Sequence, residues 1–221
     1  MTKHFVESSI DNVILHLNFN RTLTYSMILS QSFYLRKDVT VIARQLLGKI
    51  LVSKTNRQLT SGMIVETEAY SEIEKGSHAH RGKTKRNEVM FGMGGVAYVY
   101  LCYGVHEMFN VVTNTENKAD AILIRALQPV DGIEWMMERA GSTSSKKITS
   151  GPGKLTKAMG IGRKQNGNSL VDGSIWIEDR GLRVSRQEIV TTTRIGIDYA
   201  GEDAQLLWRF FVKGNKWVSK Y

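Results

Sequence analysis

The apolar periodicity of the chain separates a strand-rich body from a few short helical stretches. Asn12–Phe19 alternates polar and apolar residues with neither a cap nor a helical period, so residues 1 to about 31 predict either an added strand or a loosely held extension. From Thr40, the run Val41-Ile-Ala-Arg-Gln-Leu-Leu-Gly48 spaces its apolar residues as a helix does and stops at glycine, and Lys49-Ile-Leu-Val-Ser53 then reads as a strand. Ala97–Tyr103 is rich in β-formers, Gly104 offers a turn, and Met108–Thr113 supplies a returning strand, which together predict a hairpin. Ala121–Leu127 predicts a further strand ending before Pro129, Gly132–Ala140 and Lys154–Met159 are helix-like, and Ser174–Glu178 is strand-like. An aromatic and basic block, Trp208–Val218, closes the pattern, and no internal repeat is present.

The pattern is broken most clearly in Gly62-Met-Ile-Val-Glu-Thr-Glu-Ala-Tyr70, an apolar strand that acquires two acids near its end. Strand alternation would put Ile64, Glu66, Glu68 and Tyr70 on one face. An acid set in an apolar strand end can be held against a water and have its basicity tuned by burial. Two edge acids paired with Lys or Arg would look the same in sequence. By the same alternation Tyr98 and Tyr100 share a face while Tyr103 points the other way beside the Gly104 turn, where a projecting ring could wedge into a base stack. Core packing is the simpler use of an aromatic strand.

Glu74–Asn87 carries Lys75, His78, His80, Arg81, Lys83, Lys85 and Arg86 and reads as a basic loop facing solvent or phosphate. His78 and His80, with Glu66 and Glu68, could ligate a metal, although the spacing is nonspecific. Gly92-Met-Gly-Gly95 lacks the Lys-Ser/Thr that follows in a nucleotide-binding loop and predicts a turn. The Ser/Lys-rich stretch within Gly141–Ser150 predicts a solvated loop, with phosphate contact as its alternative.

Composition narrows the setting. A chain of 221 residues that is 42% hydrophobic can bury one compact core. Thirty Lys and Arg against 21 Asp and Glu give a net charge of +9, which draws polyanions and points to nucleic acid. The single Cys102 excludes an internal disulfide and a multi-cysteine zinc site, in keeping with a reducing compartment, cytoplasmic (nucleoid) or nuclear. The N-terminus has no secretory pattern, and the apolar runs are too short to span a bilayer.

Taken together, Val65-Glu-Thr-Glu-Ala-Tyr70, Ser77-His-Ala-His-Arg-Gly82, Arg86-Asn87, Met90-Phe91, Tyr98-Val-Tyr-Leu-Cys-Tyr-Gly104 and Arg125-Ala-Leu-Gln-Pro129 closely resemble the alkyladenine (3-methyladenine) DNA glycosylase family. The resemblance runs from roughly Phe33 through Ser219, including Ser150-Gly-Pro-Gly-Lys-Leu155 and Arg209-Phe-Phe-Val-Lys-Gly214. It leaves residues 1–31 as an extension of unassigned role beside a glycosylase domain at 32–221. It implies a single mixed α/β (α+β) domain around a curved antiparallel sheet, with a protruding β-hairpin that enters the DNA minor groove, and neither metal nor cofactor.

The same resemblance implies Glu68 as general base for the attacking water and Arg125 as its positioning partner, with Glu66 in support. Tyr70, His78 and Tyr100 correspond to the walls of a pocket that sandwiches a flipped purine. Asn110 corresponds to a residue that crowds the purine edge against normal guanine, and Tyr103 to the side chain that fills the gap in the duplex. The chain departs from the family pattern at Lys85, where a proline is common, at His80, and at Cys102.

The reading is a monofunctional glycosylase, a monomer acting on double-stranded DNA that carries damaged purines: 3-methyladenine and 7-methylguanine, with hypoxanthine and ethenoadenine as candidates. An alkylated purine is cationic, so an aromatic sandwich favours it by about 0.5–2 kcal/mol and its charge makes it a better leaving group. Two alternatives stand beside it. One is a metal-dependent nuclease built on Glu66, Glu68, His78 and His80; the other is a nucleic-acid-binding module that stacks bases on the tyrosine-rich strand.

Overall fold

The structure, a computed structural model, describes residues 13–17 and 23–219, with side chains from Met27 onward. Among the described residues ten strands form one antiparallel sheet: β1 (Val13–Leu17), β2 (Leu23–Ile28), β3 (Ile50–Thr55), β4 (Gln58–Tyr70), β5 (Ala97–Cys102), β6 (His106–Thr113), β7 (Asp120–Asp131), β8 (Ile175–Asp179), β9 (Ile189–Thr192) and β10 (Arg209–Val212). Eight run in the order β1-β2-β8-β3-β4-β7-β6-β5, and β10 joins β4 to β9. The sheet curls into a half-barrel within a single mixed α/β domain that has few helices: α1 (Gln31–Tyr34), α2 (Val39–Leu46), α3 (Ile133–Ala140) and α4 (Pro152–Met159).

Local chemistry explains several boundaries. Asp38 caps α2 by accepting from the Thr40 and Val41 amides at 2.8 and 3.1 Å, and Val39, Ile42, Ala43 and Leu46 recur at helical spacing on its buried face. Pro152 opens α4, where its missing N–H costs nothing. Of the two expectations for the N-terminal region, an added strand is found for its described part. There β1 pairs with β2, and β2 meets β8 at Met27–Asp179 and Ile28–Glu178; the rest of Asn12–Phe19 lies outside the described residues.

β4 is the spine. β3 pairs with its first half and β10 with Glu66–Glu68 on the same edge, while β7 runs along the other. Two compensating bulges lie in the β4–β7 register. Ile64 faces Leu127, Glu66 faces Ala126 and Thr67 faces Ile124, so Val65 on one strand and Arg125 on the other are passed over. A bulge re-aims its side chain, and here it does so beside the two acids.

The first bulge also overturns the expected alternation at one position. Ile64 joins Val65 and Ala69 in the main core, leaving the shared polar face to Glu66, Glu68 and Tyr70. A third irregularity corrects the end of β7, which continues through Pro129 to Asp131. Gly62 faces Pro129 with Val130 passed over, and a proline without an N–H is tolerated at such a step.

The main core lies between the sheet and α2, α3 and α4, with Phe109, Ile122, Ile124, Leu155 and Phe210 fully buried. Two smaller apolar clusters stand apart from it. Ala79, Met90, Tyr98, Val112, Ala119 and Ala121 form one, with Tyr100 against it; Ile197, Ala200 and Ala204 form the other, with Tyr70 against it.

Candidate active site

A cleft of about 430 Å³ is lined by residues of both small clusters and by the hairpin end of the sheet. Tyr70, His78, Tyr100, Asn110 and Arg125, five residues from distant parts of the sequence, all line it. Tyr103 lies at its mouth and is 90% exposed. Glu68 is not itself in the lining but sits fully buried directly behind it. Three residues that do line the cleft donate to its carboxylate: the Tyr70 hydroxyl at 2.8 Å and Arg125 Nη1 at 3.1 Å to Oε2, and the Ile195 backbone amide at 2.8 Å to Oε1.

Burial pushes the Glu68 carboxyl above the ordinary carboxylate range, against the opposing pull of Arg125, the Ile195 amide and Tyr70. Burial likewise raises the Tyr70 phenol, which the Glu68 charge raises further, so it stays a hydrogen-bond donor. Burial tends to lower the Arg125 guanidinium, but Glu68 and Glu66 outweigh it and hold the cation firmly charged.

Glu66 sits deeper and is used differently. Its Oε1 accepts from Arg125 Nε at 3.2 Å, Arg209 Nε at 2.7 Å and the Ser219 hydroxyl at 2.8 Å, and its Oε2 accepts from the Ser219 amide at 2.7 Å. Glu66 thus takes four described donors, three of them crowded on Oε1, whereas Glu68 takes three, with only the Ile195 amide on Oε1.

The walls of the cleft are aromatic. The His78 and Tyr100 rings lie 4.5 Å apart, Tyr98 and Tyr100 lie 5.3 Å apart, and His78 Nδ1 shares a 3.0 Å hydrogen bond with the buried Tyr98 hydroxyl. Burial, aided by Arg86, lowers His78 to about 4, so the ring is neutral at physiological pH. Asn110 is fixed by donation to the Tyr98 carbonyl at 3.2 Å. Tyr98 and Tyr100 share a side, as strand alternation predicts, but Tyr103 is in the turn, where alternation no longer applies. Tyr103 and Gly104 both have positive φ, 50° and 71°, the pair a type I′ hairpin turn requires.

The other sequence candidates fall elsewhere. His80 is exposed, and among the described residues no group of three or more His, Cys, Asp or Glu is placed to hold a metal, so Glu66, Glu68, His78 and His80 do not converge. In the glycine run, the Gly92, Gly94 and Gly95 amides donate to the carbonyls of Val89, Asn114 and Val112, which makes it a turn and not a phosphate cradle.

Comparison with known proteins covers most of the chain. The model of the methylpurine-DNA glycosylase family matches residues 32–216. The chain belongs to that family. A protein of Carboxydothermus hydrogenoformans assigned as a 3-methyladenine DNA glycosylase is 50% identical over 194 residues, 88% of this chain and 100% of its own. Proteins with the same assignment from Methanoculleus marisnigri and Chlorobaculum tepidum are 46% and 42% identical, over 88% and 87% of this chain and 100% and 90% of theirs.

Several residues in and behind the cleft carry no local sequence signal. Arg194 pairs with Glu74 across 120 positions, Arg209 and Ser219 reach Glu66 across 143 and 153, and the Ile195 donor is backbone. Tyr98 was legible as an aromatic but not as the partner of His78. Tyr199, which is 70% exposed, lines the cleft from the segment between Ile197 and Ala200. No helix among the described residues is long and apolar enough to cross a membrane.

Proposed function

We propose that this DNA glycosylase flips an alkylated or otherwise damaged purine out of duplex DNA and hydrolyses its bond to the sugar with a water activated by Glu68. The observation that carries the reading is the contrast behind the cleft: a buried carboxylate of raised basicity, held by three cleft-lining donors, with acceptor capacity left on Oε1. A water bound there is aligned by Glu68, with Arg125 fixing the carboxylate. Its oxygen bonds to the sugar C1′ as the glycosidic bond breaks, its proton passes to Glu68, and the base departs with the bonding electrons, leaving an abasic site. A cationic purine leaves as a neutral molecule, so 3-methyladenine and 7-methylguanine need no acid; hypoxanthine and ethenoadenine need protonation as they leave.

The base sits between Tyr70 on one side and His78 with Tyr100 on the other, where a cation over aromatic faces gains about 0.5–2 kcal/mol. A neutral His78 adds no repulsion to a charged base. Asn110 crowds the purine edge, and Tyr103, on the exposed turn, fills the duplex gap while flipping costs a few kcal/mol, least for a damaged pair. No lysine nucleophile is part of the scheme, so the enzyme is monofunctional. It acts as a monomer within the reducing, DNA-containing compartment, and the glycosylase domain is read as residues 32–221, in keeping with a family match that starts at residue 32.

The deciding experiment incubates wild type and Glu68→Gln on alkylated duplex DNA with EDTA present, and quantifies free purines and alkali-labile abasic sites. Purine release by wild type and its loss in the folded variant support the reading. Chelator-sensitive cutting of undamaged DNA would instead favour the nuclease, and binding without base release the stacking module.

A further inference from the structure

Arg194 lies at a junction that the scheme above leaves unused. Its side chain is fully buried, and its fork donates to both Glu74 oxygens, Nη1 to Oε1 at 2.6 Å and Nη2 to Oε2 at 2.8 Å. Nη1 also donates to the Ala69 carbonyl at 2.9 Å and Nη2 to the Asp203 carbonyl at 3.1 Å. Its guanidinium carbon stands 4.7 Å from the centre of the Tyr70 ring and 5.2 Å from that of Trp208.

These contacts join three of the segments that line the cleft. Ala69 lies between Glu68 and Tyr70. Glu74 belongs to the loop leading to His78 and accepts the Gly76 amide at 2.7 Å. Asp203 closes the segment that carries Tyr199, whose hydroxyl donates back to the Gly76 carbonyl at 3.3 Å. The residue after Arg194 is Ile195, whose amide is the one donor to Oε1 of Glu68 among the described residues.

We infer that Arg194 is a positioning residue for hydrolysis: by locking the 193–197 segment to Glu74 and to the back of Tyr70, it aims the Ile195 amide at Glu68. The inference rests on Glu68 being the base. A planar five-donor fork suits the task, because it fixes direction as well as charge; lysine keeps the charge and loses the direction. With the amide misaligned, Glu68 loses a donor that favours its ionised form, and its carboxyl rises further. The other groups facing Glu68 stay in place: Arg125 from β7, Glu66 and Tyr70 from its own strand, and Arg209 from β10, with Tyr100 beyond Tyr70.

The test is Arg194→Lys, its fold checked by circular dichroism and thermal melting, assayed for single-turnover base release against pH with enzyme in excess. The expected result is a plateau lower by on the order of tenfold, with the acid limb moved upward by about half a pH unit or more. A purely structural arginine would lower the melting temperature and leave the limb where it is, and a folded variant with wild-type limb and plateau overturns the inference. Should Arg194→Lys not fold, Glu74→Gln loosens the same lock and carries the same expectation at smaller size. Glu68→Gln separates the two levels: if it keeps wild-type turnover, the base assignment fails, whatever Arg194 does.

Discussion

Glu66 and Glu68 are two residues apart on one strand, equally buried, and share Arg125, yet their surroundings differ in kind. Around Glu66 four described donors gather from Arg125 on β7, Arg209 on β10 and the hydroxyl and amide of Ser219, three of them on Oε1. Around Glu68 they come from the rim of the cleft, and burial leaves the charge imperfectly compensated. A buried ion held by two arginines and a serine ties distant segments together; one whose charge burial leaves less compensated is costly to the fold and useful to chemistry. The same residue type at alternate positions thus takes opposite parts.

The comparison breaks most sharply on removing each charge in turn. Glu68→Gln should lower base release by about 10²–10⁴-fold, the usual share of a general base. It should also leave the fold intact or more stable at pH 7, by about 1 kcal/mol, or roughly 2–4 °C in melting temperature for a chain of this length. Glu66→Gln should do the reverse. It leaves Arg125 and Arg209 facing a neutral amide and should cost about 3–5 kcal/mol of stability, while the fraction that folds keeps measurable turnover. Urea unfolding paired with active-site-normalised rates checks both, and a Glu68→Gln protein less stable than Glu66→Gln would invert the assignment.

Acid sharpens the contrast. The raised Glu68 carboxyl must be ionised to take a proton, so activity should fall as pH drops through a value above the ordinary carboxylate range. For stability the sign is opposite. A raised folded-state value favours the protonated form, so this contribution is full below about pH 4.3, the unfolded value, and is lost as pH rises through the folded one. The stability advantage of Glu68→Gln should therefore appear only above that window and vanish at low pH.

His78 runs the other way. Its value is depressed from 6.5 to about 4, so its contribution is present above pH 6.5 and is lost as pH falls towards 4. Unfolding curves of wild type and His78→Gln between pH 7 and 4 should converge as the pH falls, and parallel curves would show that the ring is not held neutral.

How far the sequence led follows from the range of each interaction. The hairpin and α2 were legible because turn glycine, terminating glycine and apolar spacing act within a few residues. The acids of β4 were legible as anomalies, but their division of labour was not, because it depends on partners more than a hundred residues away and on a backbone amide that no side-chain pattern marks. Strand periodicity failed where the strand itself is irregular: the bulge at Val65 returned Ile64 to the core, and the one at Arg125 aimed that side chain at both acids. The family resemblance named these residues; it did not explain why Arg125 can touch both.

The smallest effect should be at the hairpin tip, where shape is also held at a cost. Tyr103 keeps a φ of 50°, a conformation that costs an ordinary side chain about 1–2 kcal/mol, and spends it on an aromatic ring that is 90% exposed. Glycine would relieve that strain but give back about 0.5–1 kcal/mol in unfolded-state entropy, so Tyr103→Gly should be more stable by only about 0.5 kcal/mol. If the ring serves to fill a duplex gap, the same variant should release purines from duplex DNA about tenfold more slowly and from single strands at the wild-type rate, because only the duplex must be opened. Tyr103→Ser, which keeps the unfavourable φ, should show the duplex defect without the gain in stability. Equal loss on both substrates would move Tyr103 from wedge to pocket wall, and no loss on either would leave the strained turn without a role in flipping.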